Sequence, residues 1–481
     1  MLIWLASGLA VLVSAFVAVH TYYYFTPVQL SDEAKQLLAE TAPMAQLTDN
    51  GYRLIGLLAP EGVDPVAYGR CSHAIAKKYG EAYWRELEKT REDDIGRSAE
   101  DFRRRSDEAQ QTCSQGKPLL PAPPRSKSAD QIRPGVDFAR FASAGDHTIA
   151  AVYVDRWTAV LEGGVRGTEP DIAMTVVPEY TTALSVERAR LLTFAQNWLR
   201  AKSVEEYAKS FEVFESGIPK LTQFADGVML DTMVANSIIS QHLLGLQALV
   251  AREPKLDSTL AERMQRSVSS VETLPRSLGK AIVAEVQISK SVFERVSTAG
   301  FGITPNPLVN AMERLAFDRS DTLNLSAMAL RDTQKAALST QPFNFHETRA
   351  GLVFKNVGCP WLGELALVCA TLERNVIGRI LAGASSPQYA EYMNRTHDVR
   401  NLAAATRLTI EARRQGLNGD ALSTLVANAP ASMRDVFSGK PFSYDAQSGK
   451  LTVELRAKST VLGEKSYALS LEGSRLRHGL M

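Results

Sequence analysis

Between Leu2 and Val19 the chain has no charged side chain, and serine is the only polar residue there apart from glycine. That lack excludes an ordinary amphipathic helix, which would turn a polar face outward about every 3.6 residues. At ~1.5 Å rise per residue, a helix over this run nearly crosses a ~30 Å hydrocarbon layer. Tyr22, Tyr23, Tyr24 and Phe25 follow, as aromatics do at a membrane–water boundary, and Pro27 ends the helix. No basic side chain precedes the run and no small-x-small site follows it, so it reads as an uncleaved signal-anchor and not as a cleaved secretion signal. No later stretch is expected to span again, because Asn236, Gln241, His242 and Gln247 interrupt the next most apolar run.

A net charge of +1 leaves no global field to attract nucleic acid. The basic run Arg103 to Arg105 sits among acids and reads as a solvated helical face. Cysteine and histidine are scarce, with four and seven copies. No two cysteines have C-x-x-C spacing and the histidines are scattered, so no metal site and no cofactor is expected. There is no G-x-S-x-G elbow and no H-E-x-x-H; His346 and Glu347 give only the first half of the latter. Ser114/Lys117 and Ser277/Lys280 have Ser-x-x-Lys spacing but no accompanying second motif. Neither "LEGGVRG" (Leu161 to Gly167) nor "GEKS" (Gly463 to Ser466) has phosphate-loop spacing. No stretch sets two carboxylates in an apolar setting, and His242, inside "SIISQHLLGL", reads as a core histidine. No catalytic, cofactor-binding or metal residue is therefore assigned.

What the sequence does have is helical periodicity. "SVERARLLTFAQNWLR" reads as a helix capped by Ser185, with Leu191, Leu192, Ala195, Trp198 and Leu199 on one face. "EYMNRTHDVRNLAAATRLTIEARRQG" ends at Gly416, a C-terminal cap. Late in the chain the period becomes two. Phe442 and Tyr444, then Leu451, Val453 and Leu455, then Tyr467, Leu469 and Leu471 alternate, with Ser448-Gly449 as a turn. The fold class expected is mainly α: a transmembrane helix, a helical hairpin, a larger helical body and a small C-terminal antiparallel β meander. The boundaries are 1–26 for the anchor, 27–117 for the hairpin segment, 118–136 for a Pro-rich linker, 137–430 for the body and 431–481 for the meander and tail. The meander is expected to lie as a lid on the last helical pair, between Pro387 and Gly416, with the Phe442/Tyr444 face inward.

Cys71, Cys113, Cys359 and Cys369 are the disulfide candidates, and three pairings are open. A hairpin breaking near Asp94 to Gly96 would bring Cys71 and Cys113 side by side at its open end. Cys359 and Cys369 frame a short loop that a second bridge could close. Bridges fit an oxidising compartment, which orients the body outside the cytoplasm.

"NGYRLIGLLAPEGVDPVAYGRC" (Asn50 to Cys71), the cysteine at 113, "RNVIGRILAG" and "DVFSGKPFSYD" together resemble a family of single-anchor proteobacterial envelope proteins. That resemblance implies an envelope location and no activity. The segment Arg395 to Leu455 is similar in layout to the globular head of type II secretion pseudopilins, with Val436 where those have Pro. The opening span has no basic leader, processing Gly or early Glu, so that likeness is limited to a helix-to-sheet turn. The expected function is a non-enzymatic, single-pass inner-membrane protein with a periplasmic body that binds or scaffolds a protein partner. An envelope hydrolase, its site assembled from residues distant in sequence, is the alternative.

Overall fold

The structure is a computed structural model that describes residues 14–23, 25–42, 46–90, 107–108, 111–121, 138–143, 149–164, 177–299, 314, 316–339, 348–349, 351–352, 374–457 and 466–471. It is mainly helical, with a small antiparallel sheet near the C-terminus. The described helices are α1 (Asp32–Thr41), α2 (Asp49–Ile55), α3 (Pro65–Thr90), α4 (Phe138–Ser143), α5 (Ala151–Glu162), α6 (Val177–Arg200) and α7 (Val204–Glu215). They continue with α8 (Gly217–Phe224), α9 (Met229–Val250), α10 (Ser258–Ser269), α11 (Leu274–Ala299), α12 (Arg319–Ala337), α13 (Val376–Arg414) and α14 (Gly419–Ala427). The strands are β1 (Ser443–Asp445), β2 (Lys450–Glu454) and β3 (Ser466–Ser470).

Several helices start where a short polar side chain can take up a free N–H. Ser31, Ser203, Asp257 and Asp318 accept from Ala34, Glu206, Leu260 and Asp321 respectively. Ser185 does not act this way. The helix begins eight residues earlier, at Val177, and the Ser185 hydroxyl donates to the Thr181 carbonyl within it. Leu191, Leu192, Ala195 and Trp198 are buried as expected, whereas Leu199 is exposed.

At the centre lies α9. By length and composition it could cross a membrane, contrary to expectation, but 83% of its most apolar window is buried inside the fold. Its polar residues bind it to its neighbours. Asn236 Nδ2 donates to Thr396 Oγ1 at 2.8 Å and Gln247 Nε2 to Thr409 Oγ1 at 3.2 Å, both on α13. On the α6 side, Gln241 Oε1 accepts from Arg188 Nε at 3.1 Å. A run of small side chains (Ala403, Ala404, Ala405 and Ala412) lies fully or almost fully buried on α13. One apolar cluster runs from Leu54 on α2 to Leu471 beyond β3.

The expected lid is present, on one long helix and not a pair: α13 continues through position 387 and ends at Arg414. Gly416, at φ +65°, then closes it, with Leu417 N–H donating to the Ala412 carbonyl. The strands pair in sequence order, Tyr444 opposite Leu451 and Val453 opposite Tyr467. Phe442, Leu451, Val453, Leu455 and Leu471 are buried in the same cluster as Val399, Leu402 and Leu408. Polar contacts fix the register of lid on helix. Asn401 Nδ2 donates to Asp435 Oδ2 and to the Glu454 carbonyl, and its Oδ1 accepts from Val436 N–H. Asp398 accepts from the N–H groups of Arg456 and Ala457 at 2.8 and 3.0 Å.

Cys71 and Cys113 are joined, with 5.7 Å between their Cα atoms, and Lys78 pairs with Glu108 at 3.0 Å further along. The expected turn near 94–96, the cysteines at 359 and 369, and most of the Pro-rich segment lie outside the described residues. The part of that segment that is described is strapped to the body, with Leu120 N–H donating to the Leu58 carbonyl. Closing a loop of 42 residues removes about 4 kcal/mol of denatured-state entropy in the chain-entropy model. Reduction, or Cys71→Ser with Cys113→Ser, is expected to lower the unfolding free energy, read by denaturant titration, by up to that amount. Native protein from membranes should show this pair joined in non-reducing mass spectrometry, and free alkylation of both thiols would contradict the bridge.

A candidate binding cleft between two core helices and the lid

The N-terminal half of α9 and the middle of α13 do not close completely on each other. A cavity of about 260 Å³ remains, with Leu184 of α6 on one wall and Leu455 and Ala457, just past β2, at one end. Its lining is mostly apolar, from Met229, Leu230 and Met233 to Val399 and Leu402, with Asn236, Ser237, Ser240, Arg395 and Asp398 also facing it.

Most of these polar groups are committed. The Ser240 hydroxyl donates to the Asn236 carbonyl at 2.8 Å and Thr232 to the Ala225 carbonyl at 2.8 Å. Both Asp398 oxygens hold the lid. Burial nevertheless raises its carboxyl to about 6, the two backbone N–H groups opposing that shift. Arg395 stacks over Tyr392, 5.5 Å from the ring centroid. Its Nε stands 3.6 Å from Glu391 Oε1, beyond hydrogen-bond length, and has no acceptor. Asn236 is 6% exposed and its Oδ1 has no hydrogen-bond donor. The amide orientation is fixed, because the Thr396 hydroxyl already donates to the Tyr392 carbonyl and so receives only the Asn236 N–H. That oxygen has no accessible surface, so it is an unmet acceptor of the core and not of the open cleft.

Beside the cleft, the start of α9 collects acids that no sequence pattern marks. Asp231 is fully buried; it accepts from Val228 N–H at 3.0 Å and from the Tyr180 hydroxyl. Glu285 of α11 accepts from Met229 N–H at 3.4 Å, and burial, with Asp231 nearby, holds its carboxyl at about 7. Burial also lifts the hydroxyl of Tyr389, to which the charge on Glu285 adds, and burial lifts the Glu179 carboxyl to about 8. Two carboxylates in an apolar setting are therefore present, although no single stretch of sequence shows them. A carboxyl raised in the folded state contributes stability that is complete below its unfolded value of 4.5 and lost as pH rises through its folded value of about 7. Glu285→Gln is expected to raise the melting temperature by on the order of 5 °C at about pH 8.5 and to leave it unchanged near pH 4. Equal melting-curve shifts at both pH values would contradict this account.

The other sequence candidates lie elsewhere. His242 is fully buried, its Nε2 3.4 Å from the Glu187 carbonyl, and burial lowers its pKa so that it stays neutral. Ser277 and Lys280 both donate to Asp226, and Lys117 donates to the Glu61 carbonyl. His346, Glu347 and the basic run at 103–105 lie outside the described residues. Among the described residues, neither cleft serine is hydrogen-bonded to a histidine or a carboxylate. The cleft itself is absent from the sequence reading, where Asn236 counts only as a break in an apolar run. No family model, no curated protein and no solved structure matches this chain.

Proposed function

We propose that this chain is a membrane-anchored envelope protein whose helical body binds a small, mostly apolar molecule in the cleft between α9 and α13. The observation that carries the reading is the cavity of about 260 Å³, apolar along most of its wall. Sites for small ligands have this composition. The Thr232 and Ser240 hydroxyls and the Asp398 carboxylate are engaged in holding helices and lid, which favours binding over hydrolysis. The anchor belongs to the same reading and draws on the uncharged opening run. Where that helix is described it exposes Val17, Tyr22 and Phe25, while Phe16 and His20 are buried. Its end is tied to the body: Arg374 stacks over Tyr23 and donates to the Thr26 carbonyl, and Ser31 N–H donates to Asn324 Oδ1. The single-anchor envelope family named above would share this placement.

The full chain is expected to stay with membranes through a carbonate wash, while a chain beginning at Ser31 is released. In lipid nanodiscs the full chain should bind 1-aminonaphthalene saturably with a blue-shifted emission, and Ser237→Phe, which fills the cleft, should abolish it. Unchanged binding by that variant would remove the cleft from the proposal, and release of the full chain by carbonate would remove the anchor.

A further inference from the structure

A second cavity, of about 320 Å³, lies at the foot of the opening helix, where Tyr23 and Pro27 meet the starts of α12 and α13. Three arginines line it, Arg314, Arg319 and Arg374, against one acid, Asp318. That acid is spent: its Oδ2 accepts from Arg374 at 3.0 Å and from Val28 N–H at 3.2 Å, and its Oδ1 from Asp321 N–H at 3.0 Å. Arg319 pairs with Glu294, yet 41% of its side chain stays exposed. Asp321 is turned to Asn375 Nδ2 and is not on the wall. Three arginines less Asp318 and Glu294 leave a surplus of one positive charge. Arg314 is exposed, and among the described residues its guanidinium and the Ser320 hydroxyl take part in no hydrogen bond or ion pair. Ser320 stands in the first turn of α12, where negative charge is favoured. Unspent donors in a basic cavity suit an anion that only accepts. The position of the cavity names the source. Arg374 lies over the Tyr23 ring at 5.2 Å, and Tyr22 and Phe25 are exposed beside it, as aromatics are at headgroup level. We propose that this cavity is a phosphate site for the head of an anionic phospholipid in the leaflet around the opening helix, an inference that rests on the anchor reading above. The phosphodiester oxygens accept from Arg314 and Ser320. A choline or ethanolamine head would set a further cation beside three arginines, whereas a glycerol head leaves the phosphate charge for them.

Native mass spectrometry of the full chain in detergent, titrated with phosphatidylglycerol or with phosphatidylcholine of the same acyl chains, tests the assignment. The first phosphatidylglycerol is expected to bind roughly tenfold more tightly than the first phosphatidylcholine. Arg314→Gln should bring the two lipids close to parity, and its folding is not at issue because the side chain is exposed and unpaired. Arg266→Gln, an exposed position on α10 outside the cavity, should leave the preference as it is. Equal affinity for both lipids, a preference unchanged in Arg314→Gln, or an equal loss in Arg266→Gln would overturn the site. Glycerophosphate, the head without its chains, should not displace the lipid at equal concentration; displacement would assign the cavity to a free phosphate ester and overturn the lipid. A full chain released by the carbonate wash loses the anchor and the lipid source together, whereas one that stays with membranes yet shows no preference fails at this site alone.

Discussion

A chain ending at Pro430 is expected to lose the cooperative melting of its helical body, not merely a tail. Phe442, Leu451, Val453, Leu455 and Leu471 would leave the core together, and each is at most 6% exposed in the intact fold. At roughly 1.5–3 kcal/mol per side chain the loss sums to about 7–15 kcal/mol as an upper bound, comparable to the ~5–15 kcal/mol stability of a whole domain. Val399 and Leu402 would face water, and Asn401 and Asp398 would lose the backbone and side-chain partners the lid supplies. Circular dichroism melting decides it: a truncated chain that melts at the full-length temperature would show the sheet to be a free-standing element.

Glu187→Ala is expected to cost about 3–5 kcal/mol, the usual loss when one member of a buried charged pair is removed. Glu187 is 1% exposed, and its Oε1 accepts from Trp157 Nε1 at 2.7 Å and from Arg190 at 2.9 Å. Removing it leaves the fully buried Trp157 N–H without its acceptor, and leaves the Arg190 guanidinium with only the Thr158 hydroxyl and the Val154 carbonyl. Glu187→Gln keeps an acceptor in place and should cost clearly less. Guanidinium unfolding of the two variants separates the cases, since equal midpoints would mean that the acceptor kept by glutamine contributes nothing.

The lid was readable because alternation is local: Leu451, Val453 and Leu455 declare one buried face with no knowledge of their neighbours. The pairing of Cys71 with Cys113 is present, whereas the break about which the two segments were expected to fold lies outside the described residues. The long helix was less legible. Proline at 387 normally ends a helix, and here the helix continues through it. Ser185 misled for a related reason, since a serine before an apolar run looks like a cap wherever it stands, while the true start carries Pro178 in its first turn. The cleft and the raised acids could not be read at all. "AIVAEVQISKS" is an unremarkable amphipathic pattern, and Glu285 becomes perturbed only when α11 docks beside the start of α9.

The unbroken run of α13 settles a matter of distance. At ~1.5 Å per residue its 39 residues make a rod of about 58 Å. Beside its first turn, Arg374 grips the chain at Thr26, and two-thirds of the way along, Asp398 and Asn401 grip the lid. The spacing between the foot of the opening helix and the rim of the cleft is thus a helical rise, fixed like the length of a strut. Insertions in the surface loops leave that spacing as it is, whereas a residue added within α13 lengthens the strut and turns its far end by about 100°.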